Sequence, residues 1–210
     1  MQVESSADPS QIAFDADGLV PCVTQDWSTG EVLTLAYMNS EALERTLETR
    51  EMYFWSRSRQ ELWHKGETSG NVQRLRALRY DCDADALLAL VEPEGPACHT
   101  GERTCFHRAL GADAVATHEA LPALARTLAE RRQEMPEDSY TARLFRAGQA
   151  RMGGKVEEEA EEVARAGREE SDERLRSEAA DLLYHLGVVL ESRGLTYADA
   201  LEELTHRMGR

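Results

Sequence analysis

The chain has 210 residues, a formal net charge of −15 and a hydrophobic content of 41%. This composition supports a packed core for one large domain or two small ones. The acidity and the absence of a basic run argue against binding to nucleic acid, whose phosphates require a basic face. Any anionic substrate must therefore be held locally, by a few basic side chains or by metal ions.

The first ten residues, MQVESSADPS, are polar and acidic. They lack the basic start and apolar stretch of a signal peptide, and no apolar run approaches the length of a membrane span. We therefore expect a cytoplasmic protein that does not bind a membrane. In that compartment the four cysteines are expected to be free thiols or metal ligands rather than disulfides.

Residues 11 to 108 show mostly strand and turn patterns. Ser40 is predicted to cap the one amphipathic helix of this half, EALERTLETR. The strand candidates are LVPCVTQD, EVLTLAYM, MYFWSRS, VQRLRALRYDC and DALLALVE.

The loop HKGETSGN lies between two of these strands and has two interpretations. Lys65 supplies an ammonium, while Thr68, Ser69 and Asn71 supply hydroxyl and amide groups, a set suited to cradling a phosphate. Only two of the 24 basic residues are lysines, Lys65 and Lys155, so both are candidates for sites that need a compact ammonium. The alternative is a plain connecting turn.

The segment DCDADA interleaves three carboxylates with a thiol. In a strand, Asp81, Asp83 and Asp85 would share one face and repel one another unless a cation lay among them, and oxygen ligands suit Mg²⁺ or Ca²⁺. An EF-hand loop is rejected because Ala86 stands where that loop needs glycine, and because LLALV is typical of a strand. From this motif alone, an acidic edge that discourages aggregation is an equal alternative.

Cys82, Cys98 and Cys105 offer three soft ligands without the C-x-x-C pairs that are common in structural zinc sites. Three thiolates with one open position would match a catalytic zinc, which keeps room for water. Spacing alone favours three unrelated buried cysteines, whereas the turn-rich setting PACHTGE around Cys98 favours a site. Cys22, within the apolar VPCVT, is expected in the core.

This half resembles the phosphoribosyl-AMP cyclohydrolase family of histidine biosynthesis. The resemblance implies a small α+β domain that works as an intertwined homodimer. The matching segments cover most of residues 18 to 106 and are GLVPCVTQDWSTGEVLTLAYMN, FWSRSRQELWHKGETSGN, DCDADALL and GPACHTGERTCF.

The resemblance also assigns metal ligands. One subunit would supply Cys82 to a zinc ion, and the other would supply Cys98 and Cys105. The implied reaction is hydrolysis of the N1–C6 bond of an N1-ribosylated adenine by zinc-activated water. His99 and His64 are candidates for proton transfer, with a structural role as the alternative for each. The implied Mg²⁺ ligands are Asp81, Asp83 and Asp85.

The second half shows helical spacing of its apolar residues. Ser139 and Thr196 are predicted helix caps, and Gly194 is predicted to end a long helix. Tyr184 and His185 lie among leucines and are expected to pack in the core. We place the boundary at residue 113, so the predicted domains are residues 1–113 and 114–210.

The stretch GGKVEEEAEEVARAG and the following SEAADLLYHLG carry carboxylates at helical spacing. Glu158, Glu159 and Glu162 lie near one another on the first helix, and Glu178 and Asp181 repeat the three-residue spacing on the next. If a helical bundle turns both pairs inward, divalent cations are needed to offset their repulsion. A charged outer face is the alternative, although Asp181 interrupts an otherwise apolar run.

This half resembles phosphoribosyl-ATP pyrophosphohydrolase, a relative of the all-α MazG-type nucleotide pyrophosphohydrolases. The match covers most of residues 119 to 205 and rests on SYTARLF, an E-E-x-x-E motif and EAADLLYHL. It implies that the five carboxylates bind Mg²⁺, which bridges the triphosphate before pyrophosphate leaves. Glu157 stands where the family usually has glycine. The expected cations that grip the triphosphate are Arg143, Arg151 and Lys155.

Together the two resemblances imply one bifunctional enzyme. Its second half would convert phosphoribosyl-ATP to phosphoribosyl-AMP, and its first half would open the adenine ring of that product. Two alternatives remain from the residues themselves. One is a housekeeping nucleotide pyrophosphohydrolase fused to a metal domain, and the other is a non-catalytic, zinc-stapled dimerisation module with a helical interaction domain.

Overall fold

The computed structural model describes residues 9–111 and 116–209. They form two compact units, one before and one after residues 112–115. The N-terminal unit is a small mixed sheet with one α-helix, and the C-terminal unit is helical, which confirms the predicted fold class at this level. The predicted boundary at residue 113 lies outside the described residues. No described helix has both the length and the apolar character needed to span a membrane.

The N-terminal unit is built on a four-stranded sheet in the order β2-β1-β6-β5. Strands β1 and β6 are parallel, the other neighbours are antiparallel, and β3 and β4 form a separate hairpin. The hairpin strand β4 has no counterpart among the predicted strands. The elements are β1 (Val20–Asp26), β2 (Val32–Met38), α1 (Ser40–Thr49), β3 (Tyr53–Ser56), β4 (Glu61–His64), β5 (Gln73–Tyr80) and β6 (Leu87–Pro93).

Strand β1 alternates buried and half-buried positions, as a strand with one face on a core does. Cys22 lies on that buried face, and burial raises its pKa to about 12. The expectation that Cys22 is a core residue is therefore confirmed. Helix α1 begins one residue earlier than predicted, because the Asn39 side chain, rather than Ser40, accepts a hydrogen bond from the Ala42 amide at 2.9 Å.

The C-terminal unit packs around Leu128, Leu144, Met152 and Val188. The predicted caps are confirmed, since the side chains of Ser139 and Thr196 accept hydrogen bonds from the first turns of α3 and α6. The helices are α2 (Ala120–Glu134), α3 (Tyr140–Ala147), α4 (Gln149–Glu169), α5 (Asp172–Ser192) and α6 (Tyr197–Met208).

Two glycines of the C-terminal unit lie where a larger residue would be strained or would clash. Gly194 has a φ of 73° two residues after α5 ends, as predicted for the residue that stops this helix. Gly187, inside α5, allows a close approach by α6, because a Cβ there would lie 2.1 Å from the Tyr197 hydroxyl and 2.8 Å from Leu128 Cδ1. That hydroxyl donates to the Leu183 carbonyl at 2.6 Å, which ties α6 to α5.

Candidate functional site

The loop that follows β6 brings two of the predicted thiols together. Cys98 is 7% exposed, and its thiol is near enough to that of Cys105 for each to affect the pKa of the other. The loop is closed by backbone hydrogen bonds from Ala97 to Arg103 and from Cys98 to Glu102. Cys105 is fixed to β2, with its Sγ 2.7 Å from Thr34 Oγ1. Two thiols are thus held side by side as free cysteines.

The environment of the thiol pair favours negative charge on Cys98. Thr100 Oγ1 donates to Cys98 Sγ at 3.1 Å, and this hydrogen bond lowers the pKa of the Cys98 thiol. The Lys65 ammonium faces the same loop, since its Nζ donates to the Ala97 carbonyl at 2.8 Å. Thiolate is the form that binds a metal, which suits Cys98 to that task, whereas burial raises the pKa of the Cys105 thiol.

Cys82 does not join the pair within one chain. It lies in the turn before β6, whereas Cys98 lies in the loop after β6. Throughout residues 9–111 and 116–209, no group of three or more possible ligands with atoms within 4.8 Å of one another includes a cysteine. Cys82 is exposed, and its Sγ lies 4.0 Å from Asp83 Oδ1.

The three aspartates do converge, although for a different reason from the predicted one. Residues 81–86 form a turn between β5 and β6, so the expectation of a strand with alternating faces is wrong. Asp81 Oδ1 accepts hydrogen bonds from the amides of Asp85 and Ala86, and Ala84 has a φ of 61°. This tight turn gathers the carboxylates of Asp81, Asp83 and Asp85 within 4.8 Å of one another. The charges of Asp83 and Asp81 raise the pKa of Asp85, a repulsion that a divalent cation would relieve.

The two candidate histidines have different surroundings. His99 lines a cavity beside the thiol loop, and its Nδ1 lies 3.9 Å from Cys98 Sγ. His64 lies on β4, where its Nε2 is 2.9 Å from a Glu51 carboxylate oxygen and its ring stacks on Tyr53 at 4.4 Å. Glu51 and Tyr53 thus flank His64, although its buried Nε2 has no hydrogen-bond partner of good geometry, whereas His99 is exposed.

The predicted phosphate loop is divided. Lys65 is 6% exposed and turns its ammonium inward, while Thr68 and Ser69 are exposed. Ser69 Oγ accepts from the Asn71 amide at 3.2 Å. In the described part of the chain no hydrogen bond links Lys65 to the other three side chains, so the four do not form one cradle.

A cavity of about 510 Å³ lies between β2 and the β3–β4 hairpin. No binding site was predicted there from the sequence. Its walls combine aromatic rings with guanidinium groups, and Arg57 stacks on Tyr37 at 3.8 Å. The signal was present in the segment FWSRSRQELWH, where tryptophans and arginines are interleaved on one hairpin. The residues that carry this character are Tyr37, Trp55, Arg57, Arg59, Trp63 and His99.

In the C-terminal unit, α4 and α5 bring three predicted carboxylates together. Glu159, Glu178 and Asp181 place oxygens within 4.8 Å of one another, and the two glutamates are 5% and 1% exposed. Burial, followed by the nearby Glu162 carboxylate, raises the pKa of Glu178. Glu158 is exposed and turns to Lys155 instead. The acidic helices thus face each other rather than only solvent.

Basic side chains partly neutralise this cluster. Lys155 Nζ lies 2.9 Å from oxygens of both Glu158 and Glu159, and these contacts raise the pKa of Lys155. Arg174, which was not among the predicted site residues, forms an ion pair with Glu178. Both contacts could have been predicted from the sequence, because a lysine or arginine three or four residues before a glutamate lies next to it on a helix.

The remaining predicted residues of this unit lie around the cluster. Arg143 and Arg151 are exposed, and the Arg143 guanidinium lies 5.7 Å from the Tyr140 ring. His185 is 5% exposed, as expected of a core residue, but its Nε2 also lies 3.5 Å from Glu159. The hydroxyl of Tyr184 is 2.7 Å from Thr141 Oγ1.

Comparisons with known proteins agree with this division. The family model for phosphoribosyl-AMP cyclohydrolase matches residues 34–107, and that for phosphoribosyl-ATP pyrophosphohydrolase matches residues 121–208. The histidine biosynthesis bifunctional protein HisIE of Bacillus subtilis is 52% identical over 198 residues, covering 94% of this chain and 95% of the relative. HisIE of Thermus thermophilus is 52% identical over 200 residues, covering 95% and 94%. HisIE of Gloeobacter violaceus is 50% identical over 196 residues, covering 92% and 89%.

Proposed function

Because this chain belongs to the HisIE family of bifunctional hydrolases in histidine biosynthesis, we propose that each of its two units carries out one of the two reactions. The helical unit hydrolyses phosphoribosyl-ATP to phosphoribosyl-AMP and pyrophosphate. The sheet unit then opens the adenine ring of phosphoribosyl-AMP at the N1–C6 bond. Membership in this family excludes the non-catalytic dimerisation module. The cytoplasmic location stays a prediction.

The sheet unit would bind zinc between two copies of the chain. The adjacent Cys98 and Cys105 supply two thiolates, and a third comes from Cys82 of the partner subunit. Since the three thiols do not converge within one chain, a site with three thiolates needs a second copy. The donor set fits the metal, because three thiolates leave one position of a tetrahedral zinc free. Zinc bound there supplies a water whose pKa is lowered toward neutrality.

The cavity beside the thiol loop would hold the substrate. Trp55 and Trp63 offer aromatic surfaces for a purine, and Arg57 and Arg59 offer guanidinium groups for its phosphates. His99 borders both the cavity and Cys98, which favours it over His64 for proton transfer at the adenine ring. The hydroxyls of Thr68 and Ser69, with Asn71, stay candidates for a phosphate contact at the exposed part of their loop.

The aspartate turn would bind Mg²⁺. Its three carboxylates are close enough to share one ion, and their mutual repulsion is the observation that supports a bound cation. Its position beside Cys82 would put this ion near the shared thiol centre of the dimer.

The helical unit would bind Mg²⁺ through two buried carboxylates, Glu159 and Glu178, and the exposed Asp181. The other two predicted ligands, Glu162 and Glu158, lie at the edge of that group. The metal supplies charge neutralisation for the triphosphate and for the water that attacks it. Lys155, Arg143 and Arg151 stay the proposed phosphate-gripping cations.

The observation that carries the proposal is the presence of a thiol pair in one unit and of a carboxylate triad, two of whose members are buried, in the other. Its test uses two substitutions in the full chain, with pyrophosphate release and ring opening measured separately. Cys98→Ala is expected to lower ring opening by more than about 100-fold, since even groups that only support a metal ligand affect activity 10–100-fold. Zinc content should fall as well, while pyrophosphate release persists.

Glu159→Gln is the reciprocal variant. It should lower pyrophosphate release from phosphoribosyl-ATP by a comparable factor and leave ring opening of supplied phosphoribosyl-AMP intact. Equal loss of both activities in either variant would rule out the two-site proposal. Faster hydrolysis of ordinary nucleoside triphosphates than of phosphoribosyl-ATP would instead favour the housekeeping pyrophosphohydrolase.

A further inference from the structure

Lys65 is a buried ammonium without a carboxylate partner. It is 6% exposed, and within the described ranges 9–111 and 116–209 no acidic side chain forms an ion pair with it. Its contacts are the Ala97 carbonyl, at 2.8 Å, and the face of the Trp63 ring, whose centroid lies 5.8 Å away. Burying a charged group costs several kcal/mol unless an opposite charge or a set of hydrogen bonds offsets it. One carbonyl and one distant ring do not supply that offset.

The thiol pair is the group whose negative charge acts on Lys65. Burial lowers the pKa of Lys65, and the charges of Cys105 and Cys98 act in the opposite direction. The carbonyl that receives the ammonium belongs to Ala97, the residue immediately before Cys98. Lys65 therefore lies at the base of the thiol loop and beside the charge that the loop would carry.

We propose that Lys65 positions the thiol loop and balances the negative charge of its metal centre, rather than binding phosphate. This inference rests on the zinc site proposed above. A divalent ion held by three thiolates has a net charge of −1, and such a centre gains from a nearby cation at low polarity. The ammonium supplies that cation, and its hydrogen bond to Ala97 fixes the backbone from which Cys98 extends.

The choice of lysine fits this role. All but two of the 24 basic residues in the chain are arginines. An ammonium is compact and directs its hydrogen bonds freely, whereas a planar guanidinium needs a wider space and more acceptors. At this closed position the ammonium donates to one carbonyl, that of Ala97, and needs no planar partner.

The test measures zinc affinity of the full chain, by titrating metal-free protein with zinc alone in competition with a chromophoric chelator. Lys65→Met should weaken zinc binding about 10–100-fold, the usual effect of removing a group that supports metal ligands. Lys65→Arg, which keeps the charge but not the compact shape, should recover only part of that loss. Arg207→Met, which removes an exposed cation from α6 of the helical unit, serves as the control and should leave zinc affinity unchanged.

Cobalt substitution and thermal unfolding separate this role from simple packing. Lys65→Met should keep the sulfur-to-cobalt charge-transfer band at saturating Co²⁺, because all three thiolates are still present. Zinc affinity equal to that of the parent would overturn the inference, as would a raised KM for phosphoribosyl-AMP with zinc affinity unchanged. Equal losses in the Met and Arg variants, with lowered thermal stability of the metal-free protein, would make Lys65 a packing residue. If the parent itself binds no zinc, the proposed centre fails first.

Discussion

In the helical unit, three carboxylates from two neighbouring helices meet within one chain, whereas in the sheet unit the three thiols predicted to share a metal do not. The difference comes from the type of secondary structure on which the ligand residues lie. Helices α4 and α5 present side chains at fixed three- and four-residue intervals, and packing two such helices sets the distances. The turn before β6 and the loop after it have no common periodicity. A loop-borne site therefore depends on tertiary contacts and, as proposed here, on a second copy of the chain.

The largest expected effect comes from mixing inactive variants. Cys82→Ala and Cys98→Ala should each abolish ring opening alone. If the centre is shared, a mixed dimer has one site with both defects and one with none, so random re-pairing should restore about one quarter of the parent activity. The measurement is ring opening of phosphoribosyl-AMP after co-refolding at equal concentrations.

The helical unit supplies the control for this experiment. Glu159→Gln and Glu178→Gln should not complement each other in pyrophosphate release, because the carboxylate triad is complete in one chain. Recovered pyrophosphate release in that mixture would contradict a carboxylate site that is complete in one chain. Ring opening that does not recover in the cysteine mixture would contradict a shared thiol centre.

A smaller effect is expected from packing in the helical unit. Gly187→Ala places a methyl group against Tyr197 and Leu128, and overpacking of this kind costs about 1–3 kcal/mol. Thermal unfolding should show the loss in the helical transition, with ring opening unaffected. Gly153→Ala is the matched control in α4, where a Cβ meets nothing within 4 Å; it should stabilise the helix by about 0.5–1 kcal/mol. Equal effects of the two variants would contradict the close approach at Gly187.

The smallest expected effect is a pH dependence of stability. Burial raises the pKa of Glu178, so its protonated form stabilises the folded state, and this contribution is lost as the pH rises through the folded pKa. In metal-free protein, Glu178→Gln should therefore raise the melting temperature near neutral pH. The gain should shrink as the pH falls toward 4.5, the ordinary pKa of glutamate.

Glu173 provides the opposite case. Hydrogen bonds from its own backbone amide and from the Ser171 side chain lower the pKa of Glu173, so its stabilisation is present at neutral pH and is lost as the pH falls through its folded pKa. Glu173→Gln should accordingly lower stability slightly near neutral pH and have no effect in acid. A pH profile with the same sign for both variants would contradict the assigned environments.

Individual residues show which features of the fold and of the candidate sites could be predicted from the sequence. Helix caps such as Ser139 and Thr196 act over three residues and were found, as was the inward turn of Glu159 and Glu178. The aspartate motif was found, but its turn was mistaken for a strand because alternation alone does not reveal the left-handed backbone at Ala84. The aromatic and arginine cavity was missed, since strand β4 was missed and its walls come together only when the hairpin lies against β2.

Strand β6 separates the turn that holds Cys82 from the loop that holds Cys98. If the thiol centre is shared as proposed, a newly made chain carries both halves of it and completes neither. Ring-opening catalysis then begins only when two chains meet, while the helical half has its full set of acidic ligands as soon as it folds. Dimer assembly would thus be the maturation step of the sheet unit. Each dimer would then hold two zinc ions, each bound by thiols of both chains.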